Sequence, residues 1–303
     1  AQVPLTQPGA PAPTQKTLDQ IEAHTRIAYA PFTISAPGSY YLTANLTVSA
    51  GDAITIATNG VTLDLNGFTL RSTAASATGT GILINGGLQN LTIANGFIRG
   101  GVTNNGSGVY SGSGFANGIY YSGNTPANVL ISRVSVSGCL IYGIVISTGD
   151  STVVENCTAR TIGGYGITAD TVKQSSAIDC GSSAIISAQV SDCRGASNGG
   201  YGVYATTAQN CYGSSSAGTG VFTYIAQNCY GSSNGGYGVF AYTAQNCYGS
   251  SISSTGLSAP YTATGCYGYS GTGTGLNAFI ANACHGATSS GTAISTSHNI
   301  YSY

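Results

Sequence analysis

The side chains best suited to acid–base chemistry gather between residues 133 and 194: Arg133, Asp150, Glu155, Arg160, Asp170, Lys173, Asp179, Asp192 and Arg194. Two carboxylates set about 5 to 10 Å apart around a glycosidic bond are the machinery of sugar hydrolysis. If the chain is an enzyme, Asp150, Asp170 and Lys173 are its candidates, a carboxylate pair with a cation beside it. His24, His285 and His298 are isolated and no Cys-x-x-Cys occurs, so neither a metal nor another cofactor is expected.

A repeat gives most of these charges a simpler origin. The string Ala208-Gln209-Asn210-Cys211-Tyr212-Gly213-Ser214-Ser215 returns at Ala226 and again at Ala244. Cys193, Cys211, Cys229 and Cys247 follow one another at 18 residues, Cys266 comes 19 later and Cys284 another 18. A fixed period of this length means a solenoid, with one coil per repeat stacked on the next. In this register Asp179 and Asp192 take the place before cysteine that Asn156, Asn210, Asn228 and Asn246 hold. Those asparagines are expected to form a hydrogen-bonded turn ladder. Glu155 falls in phase with Gln209, Gln227 and Gln245, and Arg194 and His285 fall in phase with Tyr212, Tyr230 and Tyr248.

The same register predicts one inward column of reduced thiols: Cys139, Cys157, Cys180, Cys193, Cys211, Cys229, Cys247, Cys266 and Cys284. Buried thiols behave as small apolar groups. Side chains on stacked parallel strands point the same way, which makes bridging consecutive coils awkward. Cys139 and Cys180 reach Ile144 and Ile185 after five residues instead of ten, which reads as loop variation on a constant core.

Aromatic residues repeat in three outward phases. Tyr212, Tyr230, Tyr248 and Tyr267 follow the cysteine; Tyr204, Phe222 and Phe240 follow an inward valine; Tyr224, Tyr242, Tyr261 and Phe279 make the third set. Only 6% of the chain is charged, and no Asp, Glu, Lys or Arg occurs after Arg194. An uncharged body with outward aromatics is a large adhesive patch. The net charge of −1 supplies no electrostatic footprint for nucleic acid or anionic lipid, and no apolar run is long enough to span a membrane.

The elements that must position these residues are short strands. Tyr40-Tyr41-Leu42, Ile54-Thr55-Ile56 and Val61-Thr62-Leu63-Asp64-Leu65 alternate with period two, and Asn66-Gly67, Asn85-Gly86 and Asn95-Gly96 mark turns. No helical pattern separates the strands, so the expected fold is an all-β, right-handed, single-stranded parallel β-helix of about 18 residues per coil over residues 32–303. Residues 1–31 are expected to form an extended arm, rich in proline at Pro4, Pro8, Pro11 and Pro13, and a short capping helix over Thr14 to Ala23. Ala1-Gln2-Val3 reads as the start of a mature secreted chain.

Gly-Ile or Gly-Val followed by alternating residues and then Asn-Cys resembles the right-handed β-helix repeat proteins of the pectate-lyase-like superfamily. The opening, Lys16-Thr17-Leu18-Asp19-Gln20-Ile21-Glu22, then Gly38-Ser39-Tyr40-Tyr41-Leu42 and Val61-Thr62-Leu63-Asp64-Leu65-Asn66-Gly67, is similar to secreted bacterial members. The resemblance implies the fold, and many such proteins cleave acidic polysaccharides. The strings that carry that chemistry, Asn-Thr-Asp, Asp-Asp, Gly-His-Gly and Arg-Ile-Lys, do not occur here. The expectation is therefore a structural protein, an extracellular filament, tube or sheath subunit whose partners are copies of itself, joined head to tail or through the arm. A polysaccharide lyase or hydrolase is the alternative, and an adhesin holding carbohydrate on its tyrosines a second.

Overall fold

In the computed structural model, residues 24–123, 126–147 and 150–301 are described, the side chain of Asp150 excepted. The expected arm and capping helix lie outside them, apart from the last stretch of the arm. Strands run through nearly all of the described chain, without helix. Twenty-nine of them pair into one continuous sheet and two form a separate antiparallel pair. The pairings of the large sheet are parallel, and each strand pairs with the strand one coil away. The protein is a parallel β-helix. Its first described strand, His24–Ile27, pairs with Gly38–Leu42 and so joins the stack upstream of residue 32.

Each coil has three faces. Face A begins at the inward column Phe32, Ile54, Ile82, Ile119, Ile144, Ile167, Ile185, Val203, Val221, Val239, Leu257, Leu276 and Ile294. Face B carries Leu63, Ile93, Ile131, Val154, Val172, Val190 and Ala208 inward, continued by Ala226, Ala244, Ala263 and Ala281. Face C carries Leu46, Leu70, Ile98, Val136, Ala159, Ala177 and then glycine from Gly195 to Gly286. These columns hold the core; the apolar residues named on them, Phe32 and Ile294 aside, are buried.

The core therefore tapers. Ile54, Ile82, Ile119, Ile144, Ile167 and Ile185 lie 28, 37, 25, 23 and 18 residues apart, after which the coil length stays at 18 or 19. As coils shorten, inward side chains shrink from leucine to alanine and glycine, because less interior remains to fill. In the narrow coils face C meets the start of face A backbone to backbone. A Cβ added at Gly231 would stand 2.0 Å from the carbonyl oxygen of Gly238.

The 37-residue interval contains the antiparallel pair, Gly101–Asn104 with Tyr110–Ser113. This hairpin lies against the later coils: a Cβ at Gly181 would meet the Tyr110 ring at 2.9 Å, and one at Gly163 would meet Tyr110 Cβ at 3.1 Å.

Candidate functional site

The turn between faces B and C places a left-handed residue on coil after coil. Asn95, Arg133, Asn156, Gln174, Asp192, Asn210, Asn228, Asn246, Gly265 and Ala283 follow one another there, all with φ between 48° and 61°. Asparagine suits this conformation because its short amide bonds locally and tolerates positive φ. The ladder bonds along the stack: Asn228 Nδ2 donates to Asn210 Oδ1 at 3.2 Å, and Asn210 Nδ2 to Asp192 Oδ1 at 3.0 Å.

The cysteines do not form one column. Cys157, Ser175, Cys193, Cys211, Cys229, Cys247, Cys266 and Cys284 follow the left-handed turn and point inward. Backbone N–H groups donate to thiols one coil on, as Ser175 to Cys193 at 3.4 Å and Cys266 to Cys284 at 3.4 Å. Cys139 and Cys180 belong to the far end of face C, on the column Cys139, Ile162, Cys180, Ser197, Ser215. Their five-residue offset marks this second position; it is not loop variation. All nine thiols are free and buried. Burial pushes Cys139 up to about 12 and Cys157 and Cys193 up to about 11, so these thiols stay neutral.

Asp179 moves with Cys180. Gln174, not Asp179, is the partner of Asn156 in the turn ladder. Asp179 instead receives Asn104 Nδ2 at 2.6 Å, the Tyr110 hydroxyl at 2.8 Å and Asn198 Nδ2 at 3.3 Å. Burial alone raises its pKa, but these bonds and one from Thr161 outweigh burial and hold the carboxyl below its ordinary value. Asn198 also donates to the Tyr110 hydroxyl at 2.6 Å. One carboxylate thus pins the hairpin to the solenoid. Nothing in the sequence marks this cluster, since the partners from the hairpin are 69 and 75 residues from Asp179.

Of the enzyme candidates, Lys173 and Asp170 make separate contacts. Lys173 Nζ is held by Glu155 Oε2 at 2.9 Å on the outside of face B, and that hydrogen bond keeps the Glu155 carboxyl below its ordinary value. Asp170 bonds through its backbone, its N–H to Thr152 Oγ1 at 2.7 Å and its carbonyl to Ser187 Oγ at 2.7 Å. Asp150 opens the strand Asp150–Glu155, and its side chain lies outside the description. Asp52 accepts the Thr80 N–H of the next coil, and Asp64 accepts the Asn66 N–H within its own turn. Among the described residues no group of three or more His, Cys, Asp or Glu is placed to hold a metal.

The aromatic ladders are the most ordered surface feature. Tyr212, Tyr230, Tyr248, Tyr267 and His285 stack in sequence at 5.0, 4.8, 4.9 and 5.0 Å between ring centroids, with interplanar angles of 9° or less. The Arg194 guanidinium lies over the Tyr212 ring at 5.3 Å and ends the stack. On face A, Tyr204 stacks on Phe222 at 5.4 Å and Phe222 on Phe240 at 4.8 Å. The third set begins stacked, Tyr224 on Tyr242 at 4.9 Å. It tilts to 50° at Tyr261, where Pro260 adds a residue and shifts the register, and Phe279 meets His298 instead. Tyr224, Ile225, Tyr261 and Phe279 are each more than half exposed. Sequence reasoning missed Tyr142 and Tyr165, which stack on the wide coils at 5.9 Å, because the 23-residue spacing there breaks the period.

Comparisons with protein-family models, with curated proteins and with solved structures find no match to this chain.

Proposed function

We propose that the chain is a structural subunit that associates with copies of itself into an extracellular filament, tube or sheath. The observation that carries this reading is the combination of exposed aromatic ladders with a body that has no charged side chain beyond Arg194. A ridge of Tyr224, Ile225, Tyr261 and Phe279 is costly to leave in water and meets no like-charge repulsion when a second copy covers it. The geometry favours assembly over sugar binding. Rings in the Tyr212 to Tyr267 stack spend their faces on one another, and a sugar ring needs an open face.

Negative-stain microscopy of the purified protein tests the reading. Extended, regular polymers are expected, and the triple variant Tyr224→Ser, Tyr261→Ser, Phe279→Ser should fail to form them. Isolated particles at every concentration would reject it, as would release of sugar product from an acidic polysaccharide.

A further inference from the structure

The chain has eight Lys and Arg against nine Asp and Glu, and the fold gathers several of the arginines on one face. Arg71, Arg99 and Arg160 share one outward column of face C, in the order Thr47, Arg71, Arg99, Ser137, Arg160 and Ile178 on successive coils. Arg194 stands on the adjacent outward column, two coils beyond Arg160. All four are exposed. The alternate outward column of this face holds Thr69, Phe97, Ser135, Thr158 and Ser176, with no carboxylate among them. The carboxylates around the face are engaged elsewhere: Asp64 with Asn66 and Asn95, Glu155 with Lys173, Asp179 with the hairpin, Asp192 with Asn210.

Arg71 and Arg99 are direct partners across adjacent strands. Like charges placed so are destabilising, and the carboxylate on the face C strands, Asp179, is engaged with the hairpin. An anionic ligand would. Neighbouring strands lie about 4.8 Å apart, so the two guanidinium forks sit within reach of one group. A single fork satisfies both oxygens of a carboxylate, whereas an ester-linked sulfate or phosphate keeps further oxygens for a second fork. Arg160 follows two coils on, at about 10 Å. Phe97, half exposed, and the hydroxyls of Ser135 and Ser137 line a shallow groove together with Arg99.

We propose that face C of the wider coils is a binding track for a linear polymer bearing sulfate or phosphate ester groups, gripped by Arg71, Arg99 and Arg160. The track uses a different surface from the aromatic ridge of faces A and B, so it stands or falls separately from self-assembly.

The full chain is titrated with labelled dextran sulfate, with dextran phosphate and with uncharged dextran. Binding of one charged polymer and not of dextran is expected, weakening about tenfold or more between 50 and 200 mM salt. The preferred polymer then identifies sulfate or phosphate as the ester. Arg71→Gln with Arg99→Gln should lose about tenfold or more in affinity. Arg26→Gln, on face B, removes the same kind of charge and should bind like the parent. The double variant should also melt slightly higher in the absence of polymer, since repulsion is relieved, and polymer should raise the melting temperature of the parent and of Arg26→Gln more than that of the double variant. No binding at 50 mM salt, equal binding of uncharged dextran, or equal losses for Arg26→Gln and the double variant would overturn the proposal.

Discussion

Leu46, Leu70, Ile98 and Val136 form one inward column of face C in the first coils, and glycine holds that column from Gly195 to Gly286. The wide coils are held by an aliphatic interior. The narrow ones have little interior. They rely on backbone approach, on the inward row of thiols and small residues, and on rings stacked outside the sheet. The two regions also differ outside: face C carries arginine on the wide coils and a tyrosine stack on the narrow ones. One fold thus changes its source of cohesion along its axis, from burial to ladders.

The largest effect is expected where the narrow region has no room. Gly231→Val puts a branched side chain against the Gly238 carbonyl and should cost more than about 4 kcal/mol, a collapse visible as lost cooperative unfolding. The same column in the wide region should respond to removal instead. Ile98→Ala deletes a buried side chain and should cost about 2 to 5 kcal/mol by urea denaturation. If Gly231→Val is tolerated as easily as a surface change, the narrow coils are not packed backbone to backbone.

A local effect is expected at the hairpin. The Asp179 carboxyl titrates below its ordinary value of 3.8 in the folded protein. Its contribution is therefore present above the unfolded-state value and lost as pH falls through the lower folded value. Amide exchange in Gly101–Asn104 and Tyr110–Ser113 should accelerate only under strong acid, and Asp179→Ala should reproduce that acceleration at neutral pH. Unchanged protection in Asp179→Ala would mean that the hairpin is pinned by other contacts.

The smallest effect concerns the thiols. Ser175 already occupies the cysteine column, and its hydroxyl donates to the Lys173 carbonyl at 2.8 Å, as Cys247 does to the Gln245 carbonyl at 3.2 Å. Cys247→Ser keeps this bond and should change stability by about 1 kcal/mol or less. A loss several times larger in urea titration would show that sulfur packing matters more than the hydrogen bond.

How much of this was legible follows the same division. In the narrow coils the period is constant, so the phases of Tyr212, Tyr230, Asn210 and Cys211 could be read directly and the stacks follow from them. In the wide coils insertions of different length hide which residues meet. Cys180 and Asp179 were placed in the wrong column because their offset looked like a loop. The Arg71–Arg99 pair was invisible for the same reason, being 28 residues apart in a chain whose readable period is 18. The Asp179 cluster depends on a hairpin folding back over later coils, a tertiary contact with no local signal.

Sedimentation velocity of the 30.3 kDa chain over a hundredfold concentration range, beside the Tyr224→Ser, Tyr261→Ser, Phe279→Ser variant, tests self-association most directly. The parent should sediment as species that grow with concentration, and the variant as a monomer with an unchanged circular dichroism spectrum. A parent that remains monomeric throughout, or a variant that grows as the parent does, would contradict it.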